Sequence, residues 1–322
     1  MIQVNSSIKF QDTGYFSKII CDYLDQNETL RPFYEQYPDI EGFRYQIELK
    51  GASFSQEGRR VLRECLLEQT KGIELSDLSS HHIDLLQKDT TFTVTTGHQL
   101  NLFTGPLYFL YKIISAINLA KELKQHFQKH DFVPVYWMAT EDHDFEEICF
   151  FKHKGKKLKW DKEVQGAVGR ISTSGLEKVY DRFEGALGKG RQAEKLRQLF
   201  KQAYLEHDTL TEATRYLANA LFAEHGLLIL DGDSQALKRL FIPYVREELL
   251  RQTSFKKVTE TNTSLSRHYD VQVNPREINL FYLDENLRER IIFEEGLYKI
   301  NNTDKVYSEE AILQELDSNP EK

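Results

Sequence analysis

The chain contains 322 residues, of which 40% are hydrophobic and 12% aromatic, and it carries a formal net charge of −8. This length is sufficient for a large buried core, the aromatic content excludes a disordered polypeptide, and the acidic balance argues against a nucleic-acid partner, whose phosphates it would repel. Because no apolar run approaches the roughly 20 residues that cross a bilayer, and the first ten residues are too polar for a secretory signal, the sequence predicts a cytoplasmic protein without a membrane partner.

The amino-terminal part, residues 1–90, is predicted to be mainly helical. Two stretches place apolar residues at helical spacing, namely Phe16, Ile19, Ile20 and Tyr23 in the first and Val61, Leu62, Cys65 and Leu66 in the second. The three cysteines of the chain are far apart and form no CxxC pair. We therefore expect reduced thiols rather than a disulfide framework or a thiolate zinc site.

A strand, a helix and a second strand are predicted between residues 91 and 139. Phe92–Thr95 is short and rich in β-branched residues, which is typical of a strand. Val133–Ala139 is apolar at successive positions, as expected of a parallel strand covered on both faces. In the helix between them, Pro106 fits the first turn, with Thr104 or Gly105 at the cap. The pattern predicts one right-handed βαβ crossover.

The remaining elements follow from the same patterns. They are lysine-rich strand pieces within 148–175, helices over 176–187, 193–205 and 211–224, a third buried strand over 227–230, a helix over 234–250, and antiparallel strands between 271 and 307. The lysines between Lys152 and Lys159 are interpreted as the solvated face of a hairpin, in preference to a nucleic-acid site.

Polar residues follow the first strand at its carboxyl end, the edge at which open parallel sheets bind ligands. Gly97 permits close approach of a ligand to the backbone. Thr96, His98, Gln99 and Asn101 offer hydrogen-bonding groups ahead of a helix N-terminus, which favours anions. The sequence therefore predicts a binding segment here, with a simple turn as the alternative.

A second polar cluster follows the next strand. Asp142, His143 and Asp144 are three adjacent ionisable groups after an apolar strand, an arrangement that is costly unless a ligand or a reaction uses them. The alternative is that the acidic residues only cap the next helix, which suits Glu141 well. Since neighbouring strands end at one edge, we expect both clusters to form one site, with His98, Asp142, His143 and Asp144 as catalytic candidates.

Other residues support further hypotheses. Tyr136 and Trp137 are candidate walls of a ligand pocket, with core packing as the alternative. The two clusters mix imidazole and carboxylate groups that suit divalent ions, but they lack zinc-type spacing, so no dedicated metal is predicted and Mg²⁺ is expected only with nucleotide phosphates. Cys149 has no activating pattern and is predicted to be an inert buried thiol. Asp231–Asp233 is interpreted as a turn with a helix cap.

Two long and distinctive segments resemble the bacillithiol biosynthesis cysteine-adding enzymes. The first is TTGHQLNLFTGPLY at residues 95–108, and the second is VPVYWMATEDHDFEE at residues 133–147. Weaker similarity continues through 226–231, 241–249 and 279–282, so the resemblance covers most of the chain. It implies that the chain is the N-terminal portion of a member of this family.

The resemblance implies an α/β fold with a Rossmann-like parallel sheet, related to the cores of class I aminoacyl-tRNA synthetases and nucleotidylyl transferases, with an inserted connective domain. Family members continue with further core strands and a C-terminal coiled coil, which is absent here. The implied organisation is a helical N-terminus plus the first βαβ unit over 1–150, a connective insertion over 151–210, a return to the core over 211–270, and an antiparallel strand region with a truncated end over 271–322.

The activity implied by the resemblance is that of a ligase that joins L-cysteine to glucosaminyl malate through an amide bond. ATP with Mg²⁺ is a hypothesis beside it, because an unactivated carboxylate does not form an amide downhill in water. Gly97 and His98 would occupy the position of the nucleotide-binding histidine motif of the related synthetases. Lys112 and Arg276 are candidates for holding the malate carboxylates, and a homodimer is expected for the full-length protein. Two alternatives stay open: a nucleotidylyl transferase for another acceptor, and a non-catalytic module that binds a nucleotide or thiol metabolite.

Overall fold

The computed structural model describes residues 6–322. Its α-helices are α1 (Phe10–Thr13), α2 (Lys18–Leu24), α3 (Ile40–Ser53), α4 (Gln56–Gln69), α5 (Asp77–Leu85), α6 (Tyr108–His126), α7 (Phe145–Ile148), α8 (Glu177–Ala186), α9 (Arg191–Tyr204), α10 (Leu210–Phe222), α11 (Gln235–Arg251), α12 (Thr253–Leu265) and α13 (Glu309–Ser318). Its strands are β1 (Thr91–His98), β2 (Asp131–Met138), β3 (Phe150–His153), β4 (Lys156–Lys159), β5 (Leu228–Asp231), β6 (Phe281–Asp284), β7 (Leu287–Glu294), β8 (Leu297–Ile300) and β9 (Val306–Tyr307).

Two compact units divide these residues. The first combines residues 6–50 with 247–279, and a small buried cluster of Leu30, Leu265 and Tyr269 forms its core. The second combines residues 51–246 with 280–322 and contains all of the strands named above. The candidate site residues of both polar clusters lie in this second unit.

A three-stranded parallel sheet is the centre of the second unit. Its strand order is β1-β2-β5, and both pairs are parallel. β1 and β2 pair along their whole length, with Gly97 opposite Trp137 and His98 opposite Met138. α6 connects these two strands, so the predicted βαβ crossover is confirmed. The mixed α/β architecture agrees with the expected Rossmann-like class, and residues 6–322 contain no coiled coil.

β2 is buried on both faces, which explains its run of successive apolar residues. Val133 and Val135 belong to a buried cluster with α4 and α5. Tyr136 and Met138 point to the opposite face and join a larger cluster with α6 and α10. Each large apolar side chain buried in this way contributes about 1.5–3 kcal/mol. The two layers of helices therefore fix β2, and with it the position of the polar loop that follows.

α6 begins later than predicted. Its first residue is Tyr108 and its N-cap is Leu107, so the predicted cap at Thr104 or Gly105 is wrong. A single 3-10 turn, Leu102–Thr104, precedes it. Phe103, Thr104 and Gly105 all have positive φ, which is incompatible with an α-helical start. Gly105 is required here because a Cβ at this position would lie 2.5 Å from Cβ of Asn101.

The antiparallel parts of the second unit are a hairpin and a small sheet. β3 and β4 form the predicted lysine-rich hairpin. β6 to β9 form a four-stranded antiparallel sheet that is followed by α13. These strands begin at Phe281, ten residues later than predicted. Residues 271–280 alternate in polarity, which suggests a strand, but no partner strand lies beside them. They also include Pro275, which lacks the backbone N–H that strand pairing uses. None of the helices in residues 6–322 combines the length and apolar character needed to span a bilayer.

Replacing Arg59 with methionine is expected to lower the free energy of unfolding by about 3 kcal/mol, because buried carbonyl groups would lose charged hydrogen bonds. The Arg59 side chain is 1% exposed, and its guanidinium donates to the carbonyl oxygens of Leu86 (3.2 Å), Asp89 (3.2 Å) and Thr91 (2.8 Å). It thereby holds the segment that leads into β1. Urea denaturation followed by circular dichroism measures the change.

The matched control for this prediction is Arg60→Met on the same helix. Arg60 is exposed and bonds only to the exposed carboxylates of Glu57 and Glu64. Surface ion pairs of this kind contribute little, so this variant is expected to unfold at the same urea concentration as the wild type. Equal destabilisation by the two substitutions would contradict the assigned role of Arg59.

Candidate active site

The loops that follow β1 and β2 meet at the carboxyl edge of the parallel sheet. The backbone N–H of Ala139 donates to the carbonyl oxygen of His98 (3.0 Å), which continues the pairing of the two strands. Gln99 then reaches across, and its Nε2 donates to Oδ2 of Asp142 (2.8 Å) and to Oε2 of Glu147 (2.9 Å). The structure thus brings the two predicted polar clusters together through Gln99.

His98 is a buried histidine, 7% exposed, at the last position of β1. Its Nδ1 lies 3.0 Å from the carbonyl oxygen of Gln99. A carbonyl only accepts, so Nδ1 carries the proton and Nε2 carries a lone pair. Nε2 is buried and has no hydrogen-bond partner among residues 6–322. Burial lowers the pKa of His98, the charge of Lys112 adds to this effect, and the bond to Gln99 opposes it. His98 is therefore a neutral imidazole whose Nε2 is an acceptor without a partner among residues 6–322.

We expect the His98 imidazole to titrate below its ordinary value of 6.5 and to carry its proton on Nδ1. Because the folded state has the lower pKa, the unfolded chain binds the proton first as the pH falls. The contribution of His98 to stability is therefore complete above about pH 6.5 and is lost as the pH drops through the folded pKa. Long-range ¹H–¹⁵N correlation spectra across a pH series measure both quantities, and the same resonance in urea is the control. A folded pKa at or above the value in urea would contradict the assignment.

Asp142 is a half-buried carboxylate held by two donors. Gln99 donates to Oδ2, and the backbone N–H of His143 donates to Oδ1 (2.8 Å). Burial alone would raise the pKa of Asp142, but these hydrogen bonds, together with the charge of Arg288, outweigh it and leave the pKa below its ordinary value. Asp142 is therefore ionised at neutral pH, and this edge of the sheet presents a fixed negative charge.

The His143 side chain is oriented by an arginine rather than by the carboxylates beside it. Nη1 of Arg288 lies 2.7 Å from Nδ1 of His143. A guanidinium only donates, so Nδ1 is the acceptor in this bond. Asp142 and Asp144 lie further away, at 3.5 Å from Nδ1 and 3.8 Å from Nε2. Sequence reasoning did not single out Arg288, which lies on β7 outside both polar clusters.

Two more candidate residues lie in the core beside the loops. Tyr136 is fully buried, and its hydroxyl lies 3.3 Å from the carbonyl oxygen of His98 and 3.4 Å from that of Gln99. Burial raises its pKa. Asn101 is also buried and donates to the carbonyl oxygen of Glu147 (3.3 Å). Both side chains support the backbone of the loops rather than line an open surface.

Three further candidates lie at the strand ends themselves. Trp137 is 42% exposed, and Gly97, its partner in the sheet, is also exposed. A Cβ on Gly232 would lie 2.6 Å from the indole of Trp137, so only glycine lets the ring rest there. Thr96 is half-buried within β1. Of these three residues, Trp137 and Gly97 are thus the ones exposed to solvent.

The end of β5 adds a balanced charged network. The backbone N–H of Asp233 donates to Oδ1 of Asp231 (2.9 Å), which is the predicted turn. Arg170 binds Asp233 (2.7 Å), and Lys238 bridges Asp233 (2.8 Å) and Glu141 (3.0 Å). Burial alone would raise the pKa of Asp233, but its bonds to Arg170 and Lys238 outweigh it and lower the pKa. These charges cancel locally and anchor the loop after β2 to the end of β5.

A positive charge lies beside the possible metal ligands of the loop after β2. Asp142, His143 and Asp144 offer ligand atoms within 4.8 Å of one another. The guanidinium of Arg288 bonds to Nδ1 of His143, however, and its positive charge would repel a cation bound there. Cys149 is buried, and burial raises its pKa, which makes it a poor nucleophile. Of the two suggested carboxylate-binding residues, Lys112 acts on His98 through its charge, whereas Arg276 belongs to the first compact unit.

Comparisons with known proteins point to one family. The model of the bacillithiol biosynthesis BshC N-terminal Rossmann-like domain matches residues 3–322. The chain is similar to three proteins named as candidate cysteine ligases BshC. It is 56% identical to that of Flavobacterium johnsoniae over 98% of this chain and 59% of the relative, 54% identical to that of Flavobacterium psychrophilum over 98% and 59%, and 48% identical to that of Christiangramia forsetii over 98% and 60%. The chain thus spans about three fifths of the length of these curated relatives.

Proposed function

Because the chain belongs to the bacillithiol biosynthesis BshC family and matches its N-terminal Rossmann-like domain, we propose that it forms the active-site part of a ligase that joins L-cysteine to glucosaminyl malate. The bond formed is an amide between the cysteine carboxyl group and the amine of the glucosaminyl group. The observation that carries the proposal is that a neutral, unpartnered imidazole and an ionised carboxylate both lie at the ligand-binding edge of the sheet.

In this proposal, Asp142 and His98 have different tasks. An amine attacks only after it has lost its extra proton, so the site must attract an ammonium group and then accept a proton. Asp142 stays ionised and is a weak base, which suits it to binding the ammonium. His98 has a lone pair on Nε2 and no competing partner in the described chain, which suits it to accepting the proton. Asp144 adds negative charge beside His143.

ATP is proposed as a co-substrate. A free carboxylate does not condense with an amine in water without activation, so the cysteine carboxyl group needs a better leaving group than oxide. ATP supplies such a group, and Mg²⁺ accompanies its phosphates rather than a protein cage. Thr96, Gly97 and Gln99 at the end of β1 are the proposed contacts of the nucleotide or substrate backbone, and exposed Trp137 is the proposed wall of the same space.

The family resemblance supports three further proposals about the whole protein. Residues 151–210 are a connective insertion into a core formed by the flanking regions 1–150 and 211–270, and 271–322 is the region of antiparallel strands. The family-length protein is a homodimer. It acts in the cytoplasm, where ATP and reduced cysteine are both present.

The test is an incubation with L-cysteine, glucosaminyl malate, ATP and Mg²⁺, followed by mass spectrometry of the products. This chain and a version extended to the length of the relatives are compared. The amide conjugate from the extended version supports the ligase. A nucleotide adduct of another acceptor would instead indicate a nucleotidylyl transferase. Stabilisation by the ligands without any product would indicate a binding module, because binding alone shifts stability.

A further inference from the structure

Arg288 is an arginine that makes no direct bond to a carboxylate among residues 6–322, although its charge helps to lower the pKa of Asp142. Its guanidinium stacks on the ring of Phe281, 3.8 Å from the centroid, and its Nη1 donates to the neutral nitrogen of His143. Among residues 6–322 it forms no ion pair with an acidic side chain. Its Nε is shielded from solvent and has no hydrogen-bond partner in the described chain. An unmet donor of this kind is destabilising unless a ligand or water satisfies it.

The other arginines at this edge behave differently. Arg170 forms two hydrogen bonds to the carboxylate of Asp233, at 2.7 and 2.9 Å. Arg215 is buried and lies 3.6 Å from Asp231. Both are neutralised by acidic partners, so their charges hold the fold together. Arg288 instead contacts a neutral imidazole and an aromatic ring, which fix its direction, and no acidic side chain of residues 6–322 is bonded to it.

The hairpin that carries Arg288 is fastened to the site. Nη1 of Arg170 donates to the carbonyl oxygen of Asp284 at the end of β6 (3.3 Å). Gly166 lies against the hairpin turn, where a Cβ would lie 3.0 Å from the backbone carbon of Asn286, and its φ is +76°. These contacts fix the hairpin relative to the loop after β2. Arg288 is therefore a positioned group rather than a freely moving surface side chain.

We propose that Arg288 binds an oxyanion of the substrate, either a carboxylate of the malate group or a phosphate of the nucleotide. This inference rests on the proposed function and names the residue that selects an anionic substrate at the same site. With Nη1 on His143, Nε and Nη2 have no hydrogen-bond partner among residues 6–322, and their two parallel N–H groups match two oxygens of a carboxylate or phosphate. Phe281 holds the guanidinium plane, so little side-chain entropy is lost on binding.

Titration calorimetry of this chain tests the inference with three ligands: glucosaminyl malate, its dimethyl ester, and ATP with Mg²⁺. The variants are Arg288→Met, Arg288→Lys and the control Arg182→Met, which removes an exposed arginine on α8. Arg288→Met is expected to weaken binding of one of the two anions about 10- to 100-fold, the scale of one lost pair of charged hydrogen bonds. Arg288→Lys keeps the positive charge but loses the two parallel N–H groups of the guanidinium, so this variant should also bind the same anion more weakly. Arg182→Met should bind as the wild type.

The ligand that loses affinity identifies the oxyanion. Selective loss of glucosaminyl malate, with unchanged affinity for its ester, assigns the carboxylate, and selective loss of ATP assigns the phosphate. Wild-type affinity of both Arg288 variants for both anions would overturn the inference, as would failure of the wild-type chain to bind either. The ligase proposal stands apart from this result. If binding depends on Arg288 but the extended protein forms no product, only the ligase proposal is contradicted. If the extended Arg288→Met protein forms as much product as the wild type, only the proposed role of Arg288 is contradicted.

Discussion

Replacing His98 with alanine in the family-length protein is expected to lower turnover of glucosaminyl malate about 100-fold or more, the scale of a lost general base. The reason is that Nε2 of His98 is a buried acceptor without a partner in the described chain, and its neutral state is maintained by burial. The loss should appear mainly in kcat, because the proton is transferred in the transition state and not in the bound ground state. Steady-state kinetics with product detection by mass spectrometry measure it.

The control for this prediction is His81→Ala, which removes an exposed histidine of α5. It should leave kcat unchanged. Circular dichroism of the His98 variant is needed as well, since the ring packs between Tyr108 and Phe109, 5.2 Å from each. A folded His98→Ala protein with near-normal kcat would disprove the assignment of His98 as proton acceptor.

Replacing Asp142 with asparagine is expected to lower kcat/KM about 100-fold or more, on the scale of a lost preorganised electrostatic contact. The substitution keeps the shape and removes the charge that is proposed to hold the ammonium. Because Asp142 is a weak base, its loss should be felt in substrate binding as well as in kcat, in contrast to His98→Ala. A comparison of KM and kcat for the two variants separates an anchoring group from a proton acceptor.

Glu146→Gln is the matched control for the carboxylate. Glu146 lies on α7, is exposed, and pairs with Lys159 rather than with the site. We expect this variant to keep the kinetics of the wild type. If Asp142→Asn and Glu146→Gln had equal and small effects, the charge at position 142 would have no special role in the reaction.

The parallel core was predictable because its signals are local. The β-branched segment at Phe92–Thr95 and the apolar run at Val133–Ala139 each indicate a strand by composition, and parallel strands joined by one helix must end at the same edge. This geometry alone places His98 near Asp142, and the bond from Gln99 to Asp142 agrees with it. The start of α6 was not predictable in the same way, since the positive φ values of Phe103 and Thr104 come from packing rather than propensity.

Arg288 could not be found from the sequence for a related reason. It is separated from His143 by 145 positions and lies in a strand of ordinary composition. Its position depends on how the β6–β7 hairpin packs against the rest of the unit. Arg170 bonds to this hairpin, and Gly166 allows its close approach because glycine has no Cβ. Likewise, the apolar run at Val133–Ala139 predicts that Tyr136 lies beside the site, but it does not distinguish a residue that lines a ligand pocket from a core residue. Its full burial follows from α6, which covers that face of β2.

Gly232 leaves room for the partly exposed indole of Trp137, and this exposure has a consequence for the fluorescence of the protein. The chain contains two tryptophans, and the second, Trp160, is 2% exposed and packs edge-on against Phe145. Acrylamide should therefore quench the fluorescence of Trp137 and leave that of Trp160 almost untouched. A ligand that settles at the strand ends would cover the open face of Trp137 and reduce its quenching, while Trp160 provides a constant reference. The fold thus supplies a label-free reporter of occupancy at the site, and a Trp160→Phe variant would leave that reporter as the only emitting indole.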